Sequence, residues 1–172
     1  MKNLLLFLVF ACTFSFSCLG SPVPFSPIVR NYSVLDYNAG NENWAVAQDE
    51  RGVMYFGNNS GLLRYDGSRW KLFPLPTSGI VRAVYVASDR RIYVGSFEEF
   101  GYFEQNDLNL LEYHSLKEQV KGFDFHNDEI WTIVEQGGNI IFQSFGSYFI
   151  YDGKGTKGVR CPELPLNLFR IG

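Results

Sequence analysis

One phrase recurs three times in this chain of 172 residues. NWAVAQDERGVMYFGNNSGLLRYDG begins at Asn43, VRAVYVASDRRIYVGSFEEFGYF at Val81, and IWTIVEQGGNIIFQSFGSYFIYDG at Ile130. Each copy reads as an apolar strand, a short polar turn, a second apolar strand beside a small residue, a loop, and a strand with paired apolar residues. The first two copies superpose with Tyr55, Phe56 and Gly57 on Tyr93, Val94 and Gly95. In the second strand, Val53 and Tyr55 point to one face and Met54 and Phe56 to the other, and all four are apolar. Ile92–Val94 and Ile140–Phe142 repeat that pattern. A sheet with one wet face would alternate apolar with polar residues, so these strands are expected to be dry on both sides. Small sheets stacked face to face satisfy that demand.

Self-similarity at about 40 residues, with several strands per unit, is the signature of propeller blades. An aromatic content of 17% with 17 glycines agrees with an all-β chain whose strands need flat side chains and whose turns need backbone freedom. The predicted fold is therefore all-β, a partial β-propeller of about three four-stranded blades, spanning about 43–80, 81–121 and 122–165. In the first blade Trp44–Gln48 is the innermost strand, Val53–Phe56 the second, Leu62–Tyr65 the third and Arg69–Phe73 the outer one. Asp49–Gly52 forms the first hairpin, and Asp66-Gly67 supplies the positive-φ turn before the outer strand. Tyr151-Asp152-Gly153 repeats that turn, while the second copy has Asn106-Asp107. The best helical candidate is Ser115–Lys121, between repeats. Closed propellers need roughly four to eight blades, so the segment 43–172 is expected to be an incomplete propeller, the beginning of a longer protein.

Lys2 followed by an unbroken apolar run from Leu4 to Cys12, then small and aromatic residues up to Gly20, reads as a secretory signal over 1–20. Cleavage after Gly20 would remove Cys12 and Cys18. An acylated Cys18 is the weaker alternative, because bulky Phe16 stands where such a site wants a small residue. Cys161 is then left alone, which excludes a disulfide framework. Residues 21–42 form an extended lead-in, with three prolines within 21–27, and Ile28–Tyr32 is a candidate strand that would clasp a blade elsewhere in the protein. The formal charge is only −3 and the basic residues are scattered, so nucleic-acid binding is not expected.

AQDERGVMYFGNNSGLLRYDG and DRRIYVGSFEEFGYF resemble the two-component-regulator propeller repeats of bacterial ligand-binding sensors, especially the long Bacteroidetes regulators with a triple-tyrosine module. Gly95-Ser96-Phe97-Glu98-Glu99-Phe100-Gly101 is the more specific stretch. The third copy departs from the pattern, with Gln143-Ser144 in place of the Phe56-Gly57 pair. The resemblance implies a propeller of about seven blades, exported to the periplasm. It would detect a small molecule or oligosaccharide, often a polysaccharide breakdown product, and signal to a histidine kinase or helix-turn-helix output. It further implies a homodimer, tethered to the membrane through parts outside this sequence. No enzymatic activity and no cofactor are expected. A secreted propeller enzyme acting on polysaccharide and a protein-binding scaffold are the alternatives.

Propeller ligands usually meet the face that carries the loops between second and third strands, here Gly57–Gly61, Gly95–Gly101 and Ser144–Ser147. The candidate ligand-binding residues are Asn58 and Asn59, whose amides suit sugar hydroxyls, Phe97 as a stacking face, and Glu98 and Glu99 as acceptors. Turn chemistry for the asparagines and core packing for the aromatics is the competing reading. Trp44, Trp70 and Trp131 are expected to pack, since Trp44 and Trp131 occupy equivalent repeat positions. Glu98 and Glu99 cannot readily act as an acid and base pair, because neighbours on a strand point opposite ways. Asp124, His126, Asp128 and Glu129 cluster, but no second histidine or paired cysteine stands at ligand spacing, so no metal site is expected. Gly153-Lys154-Gly155-Thr156 only mimics a phosphate loop.

Overall fold

The computed structural model describes residues 27–77 and 79–161. Residues 27–31 fall in a separate unit and carry no regular structure; the unit from Tyr32 onward holds the fold. The signal over 1–20 lies outside the described residues. Ile28–Tyr32, read as a candidate clasp, forms no strand here. The lead-in instead makes one helical turn, Val34–Tyr37. Ser33 and Asp36 close this turn reciprocally: the Ser33 N–H and hydroxyl donate to the Asp36 carboxylate, and the Asp36 N–H donates to the Ser33 carbonyl.

Three four-stranded antiparallel sheets follow. The first contains β1 (Asn43–Gln48), β2 (Met54–Asn58), β3 (Gly61–Tyr65) and β4 (Trp70–Phe73). The second contains β5 (Ala83–Val86), β6 (Ile92–Gly95), β7 (Phe100–Gln105) and β8 (Leu111–Ser115). The third contains β9 (Thr132–Gln136), β10 (Asn139–Gln143), β11 (Ser147–Tyr151) and β12 (Thr156–Arg160). Strands run in chain order within each sheet, so every connection inside a sheet is a hairpin. The helical candidate at 115–121 reduces to a 3-10 turn, Lys117–Gln119.

The outer hairpins show why aspartate and glycine recur. Asp66 Oδ1 accepts from the Ser68 and Arg69 N–H groups, and Gly67 takes φ +92°. Asp152 Oδ1 accepts from the Lys154 and Gly155 N–H groups, with Gly153 at φ +86°. In the second blade Asn106 Oδ1 does the same for Leu108 and Leu110, and Asn109 supplies the left-handed residue at φ +58°.

Two dry layers hold the sheets together. Tyr55, Leu62, Leu75, Val81, Ile92, Val94 and Phe103 fill the layer between the first and second sheets. Tyr93, Phe100, Ile130, Ile140, Phe142 and Phe149 fill the layer between the second and third, with Phe100 4.8 Å from both Phe142 and Phe149. Truncating such a buried Phe costs about 3–5 kcal/mol.

Full two-sided burial is found in β6 alone among the three second strands: Ile92 and Val94 enter one layer and Tyr93 the other. In β2 and β10 one face is buried, and Met54, Phe56 and Ile141 on the other face are half-buried. Only the middle sheet has a described neighbour on each side. Trp70 covers part of the outward face of the first sheet. It stacks on Tyr65 at 4.4 Å and receives Tyr32, Tyr37 and Phe56 around it.

The repeated glycine marks where one blade meets the next. A Cβ on Gly57 would lie 2.6 Å from the Val81 carbonyl oxygen, and one on Gly95 would lie 2.6 Å from the Ile130 Cβ. Val81 and Ile130 hold equivalent places just before β5 and β9, so each incoming chain crosses directly over the end of the preceding second strand.

Candidate functional site

The position immediately before or within the start of each innermost strand is Trp44, Arg82 and Trp131. Backbone hydrogen bonds fix the equivalence: the Arg82 N–H donates to the Gly95 carbonyl at 2.8 Å and the Trp131 N–H to the Gln143 carbonyl at 2.9 Å. In the first blade a break in pairing register between Asn43 and Ala45 throws Trp44 out of the ladder. The three side chains converge. The Arg82 guanidinium carbon lies 3.8 Å from the ring centroid of Trp44 and 5.1 Å from that of Trp131, and the two indoles meet edge to face at 6.3 Å. Arg82 Nε donates to Glu129 Oε1 at 2.7 Å, while its Nη1 is buried with no hydrogen-bond partner among the described residues.

The turns between second and third strands surround this group. Ser96 N–H donates to the Glu99 carbonyl and Ser144 N–H to the Ser147 carbonyl, so Phe97 and Phe145 stand at matching turn positions, with Asn59 as their counterpart in the first blade. Asn59 Oδ1 accepts from Trp44 Nε1 at 2.7 Å, and its amide donates to Glu42. Phe145 packs 5.7 Å from Trp131, and Phe97 bridges by backbone to Glu129. The result is an open aromatic surface, with Trp44 44%, Trp131 36%, Phe97 52% and Phe145 62% exposed.

The residues named from sequence divide into two groups. Asn59 and Phe97 stand on this surface. Asn58 is fully buried: its amide donates to the carbonyls of Gly40 and Glu42 and to Asn43 Oδ1, and its Oδ1 accepts from Gly40 and Ser60 N–H groups. Glu99 is also buried, accepting from the Tyr113 hydroxyl and Ser115 Oγ, both at 2.7 Å. Burial first, and then the Glu99 charge, push the Tyr113 hydroxyl pKa well up. Glu98 sits at φ +46°, accepts from the Asn127 N–H and faces Lys117 at 3.8 Å. Asn58 and Glu99 thus hold the turns in shape from beneath.

Trp44 and Trp131 do not pack into the core as their repeat positions suggested; Trp70 packs against Tyr65 on the outward face of the first sheet. Arg82 was missed altogether. Lining up the residue before each apolar inner strand would have revealed a Trp, Arg, Trp series at one position.

The acidic cluster around His126 is spent on structure. Asp128 is buried and accepts from Ser144 Oγ at 2.6 Å, from the His126 N–H and from Arg160 Nη1. Burial alone would raise its carboxyl pKa, but these hydrogen bonds hold it below the usual value. Glu129 serves Arg82, and Asp124 pairs with His126 at 3.3 Å on the surface. At the opposite end of the blades a cleft of about 950 Å³ opens between the hairpins of the first two sheets, lined among others by Asp49, Arg51, Asp89, Arg91 and Glu135. Several of its polar groups are paired with one another: Arg51 with Asp49, Arg91 with Glu104, and the Tyr93 hydroxyl with Asp89. The open aromatic surface with an unmet donor is therefore the candidate site.

Three hairpin-connected, four-stranded sheets stacked on aromatic layers define a segment of a β-propeller. No protein-family model matches the chain, and no curated protein does so either. Solved structures do. The extracellular domain of BT4673 from B. thetaiotaomicron, described as a one-component system, superposes with a TM-score of 0.61 at 15% identity over 79% of this chain and 19% of that one. A second structure of that domain, described as belonging to a hybrid two-component system, gives 0.55 at 15% identity over 74% and 18%. A streptogramin B lyase matches with 0.56 at 17% identity over 78% of this chain and 44% of the lyase. Virginiamycin B lyase from Staphylococcus aureus gives 0.55 at 12% identity over 71% and 42%. The chain spans about a fifth of the BT4673 domain and less than half of either lyase. The shared property is the propeller fold.

Proposed function

We propose that this segment is the ligand-receiving part of an exported sensor that responds to products of polysaccharide breakdown and passes the signal to a regulatory output elsewhere in the protein. The observation that carries the reading is the convergence of Trp44, Arg82 and Trp131, one residue from each blade, on the face that also presents Asn59, Phe97 and Phe145. Exposed flat rings beside hydrogen-bonding side chains suit the mixed apolar and hydroxyl faces of a sugar. Similarity to the extracellular domain of a sensor supports export, as does the apolar N-terminal run.

The likeness to two lyases favours a second reading, an enzyme, for which a polysaccharide substrate comes from the sequence reading alone. Against it, Glu99 and Asp128 are buried in structural hydrogen bonds, and Glu98 and Glu129 are tied to Lys117 and Arg82.

A glycan-binding screen on the intact protein tests the proposal. Retention of oligosaccharides without cleavage, lost in Trp131→Ala, supports a sensor. Turnover of a bound glycan supports the enzyme. Absence of any saccharide ligand overturns both.

A further inference from the structure

We infer that the saccharide received here is acidic, carrying a carboxylate that pairs with Arg82; this inference rests on the sugar-sensing reading above. A surface that received only neutral sugar hydroxyls would need aromatic faces and amides, and Trp44, Trp131, Phe145 and Asn59 already supply them. It would not need a guanidinium at its centre. Arg82 holds the position that tryptophan occupies in the two flanking blades, so it breaks the repeat at the point of convergence.

The way Arg82 is held leaves it donors to spare. The guanidinium carbon lies 3.8 Å from the Trp44 ring centroid and 5.1 Å from that of Trp131, with the two rings at 81° to one another, an attraction that uses the ring π-systems. Of its N–H groups, Nε goes to a single oxygen of Glu129, and Nη1 is buried without an acceptor among the described residues. A buried donor with no acceptor carries the full cost of its lost hydration, and a charged one most of all. A planar carboxylate matches the guanidinium fork and can accept two parallel hydrogen bonds from it, which a single hydroxyl cannot. The Arg82 side chain keeps 15% of its surface open, and the two indoles beside it are themselves exposed.

Two of the neighbouring carboxylates are engaged elsewhere. Glu98 is engaged by the Asn127 N–H and faces Lys117, and Glu42 accepts from Asn59. Glu129 competes directly, since it already neutralises part of the Arg82 charge. Its removal would sharpen the site for an anion.

Calorimetric titration of the intact protein with two trisaccharides, α-1,4-linked trigalacturonate and its uncharged counterpart galactotriose, tests the inference. The expected result is at least tenfold tighter binding of trigalacturonate, with the difference shrinking as salt rises. Arg82→Gln abolishes the preference, and Glu129→Gln increases it severalfold. Because the wild-type comparison needs no variant, misfolding of Arg82→Gln does not blunt the test. Equal binding of the two, or tighter binding of galactotriose, overturns the acidic class while leaving sugar sensing intact. Binding of neither trisaccharide, together with failure of every glycan in the screen, overturns the sensing reading as well.

Discussion

The guanidinium of Arg82 rests 3.8 Å from the indole of Trp44, although the two residues occupy the same position in adjacent repeats. Neighbouring blades normally present like residues side by side at such a position. Here unlike residues meet and attract, so the same contact joins the first and second sheets at their inner edge and builds the candidate site.

If that contact is a true attraction, Trp44 and Arg82 are thermodynamically coupled. A double-mutant cycle with Trp44→Ala and Arg82→Met, followed by chemical denaturation of the intact protein, is expected to give a coupling of about 0.5–2 kcal/mol. Additive effects of the two substitutions would mean the rings and the cation merely lie close.

Gly57 and Gly95 are expected to differ in how they respond to a methyl group. Either glycine to Ala should destabilise by about 1–3 kcal/mol through overpacking. The Gly95 clash is with the Ile130 side chain, so Ile130→Ala should restore part of the loss in Gly95→Ala. The nearest atom to a Cβ on Gly57 is the Val81 backbone oxygen, so Val81→Ala should not rescue Gly57→Ala. Thermal melts of the four variants decide this.

Glu99→Ala should lower stability by about 1–3 kcal/mol, because it leaves the part-buried Tyr113 and Ser115 hydroxyls without their acceptor. Ligand affinity, measured on the folded fraction, should be unchanged. A loss of affinity with stability intact would return Glu99 to the binding surface.

Asp66 should titrate at about 2, below its usual 3.8, because the Arg69 N–H and then the Ser68 hydroxyl and N–H bond its ionised form. The folded value is depressed, so its contribution to stability is complete above 3.8 and is lost as pH falls from there toward about 2. A side-chain carboxyl NMR titration reads the midpoint directly; a value near 3.8 would show that the turn does not select the carboxylate.

Much of the fold was legible because the three copies repeat one hydrophobic pattern: Tyr55, Tyr93 and Ile141 sit on matching second strands, and Asp66, Asn106 and Asp152 announce the outer turns. Burial was less legible. Met54 and Phe56 are as apolar as Ile92 and Val94, yet only the latter strand is sandwiched, since dryness on a face depends on a neighbouring sheet that strand pattern alone does not reveal. The candidate site was half legible. Asn59 and Phe97 followed from loop position, but turn residues such as Asn58 and Glu99 bear the same polar atoms whether they point at solvent or at the backbone beneath. Trp44 and Trp131 were assigned to packing because repetition usually signals a core, and the register break at Asn43–Ala45 that exposes Trp44 leaves no mark in composition. In the third copy, Gln143 replaces glycine where a crossing chain would demand one.

Oxidative footprinting of the intact protein, with and without a saturating oligosaccharide, tests the central claim most directly, because the three tryptophans report separately. Trp44 and Trp131 should be protected by ligand, while Trp70, packed against Tyr65 on the outward face of the first sheet, keeps its own unaltered rate. Ligand binding that leaves Trp44 and Trp131 as reactive as before would contradict the assignment of this surface as the site.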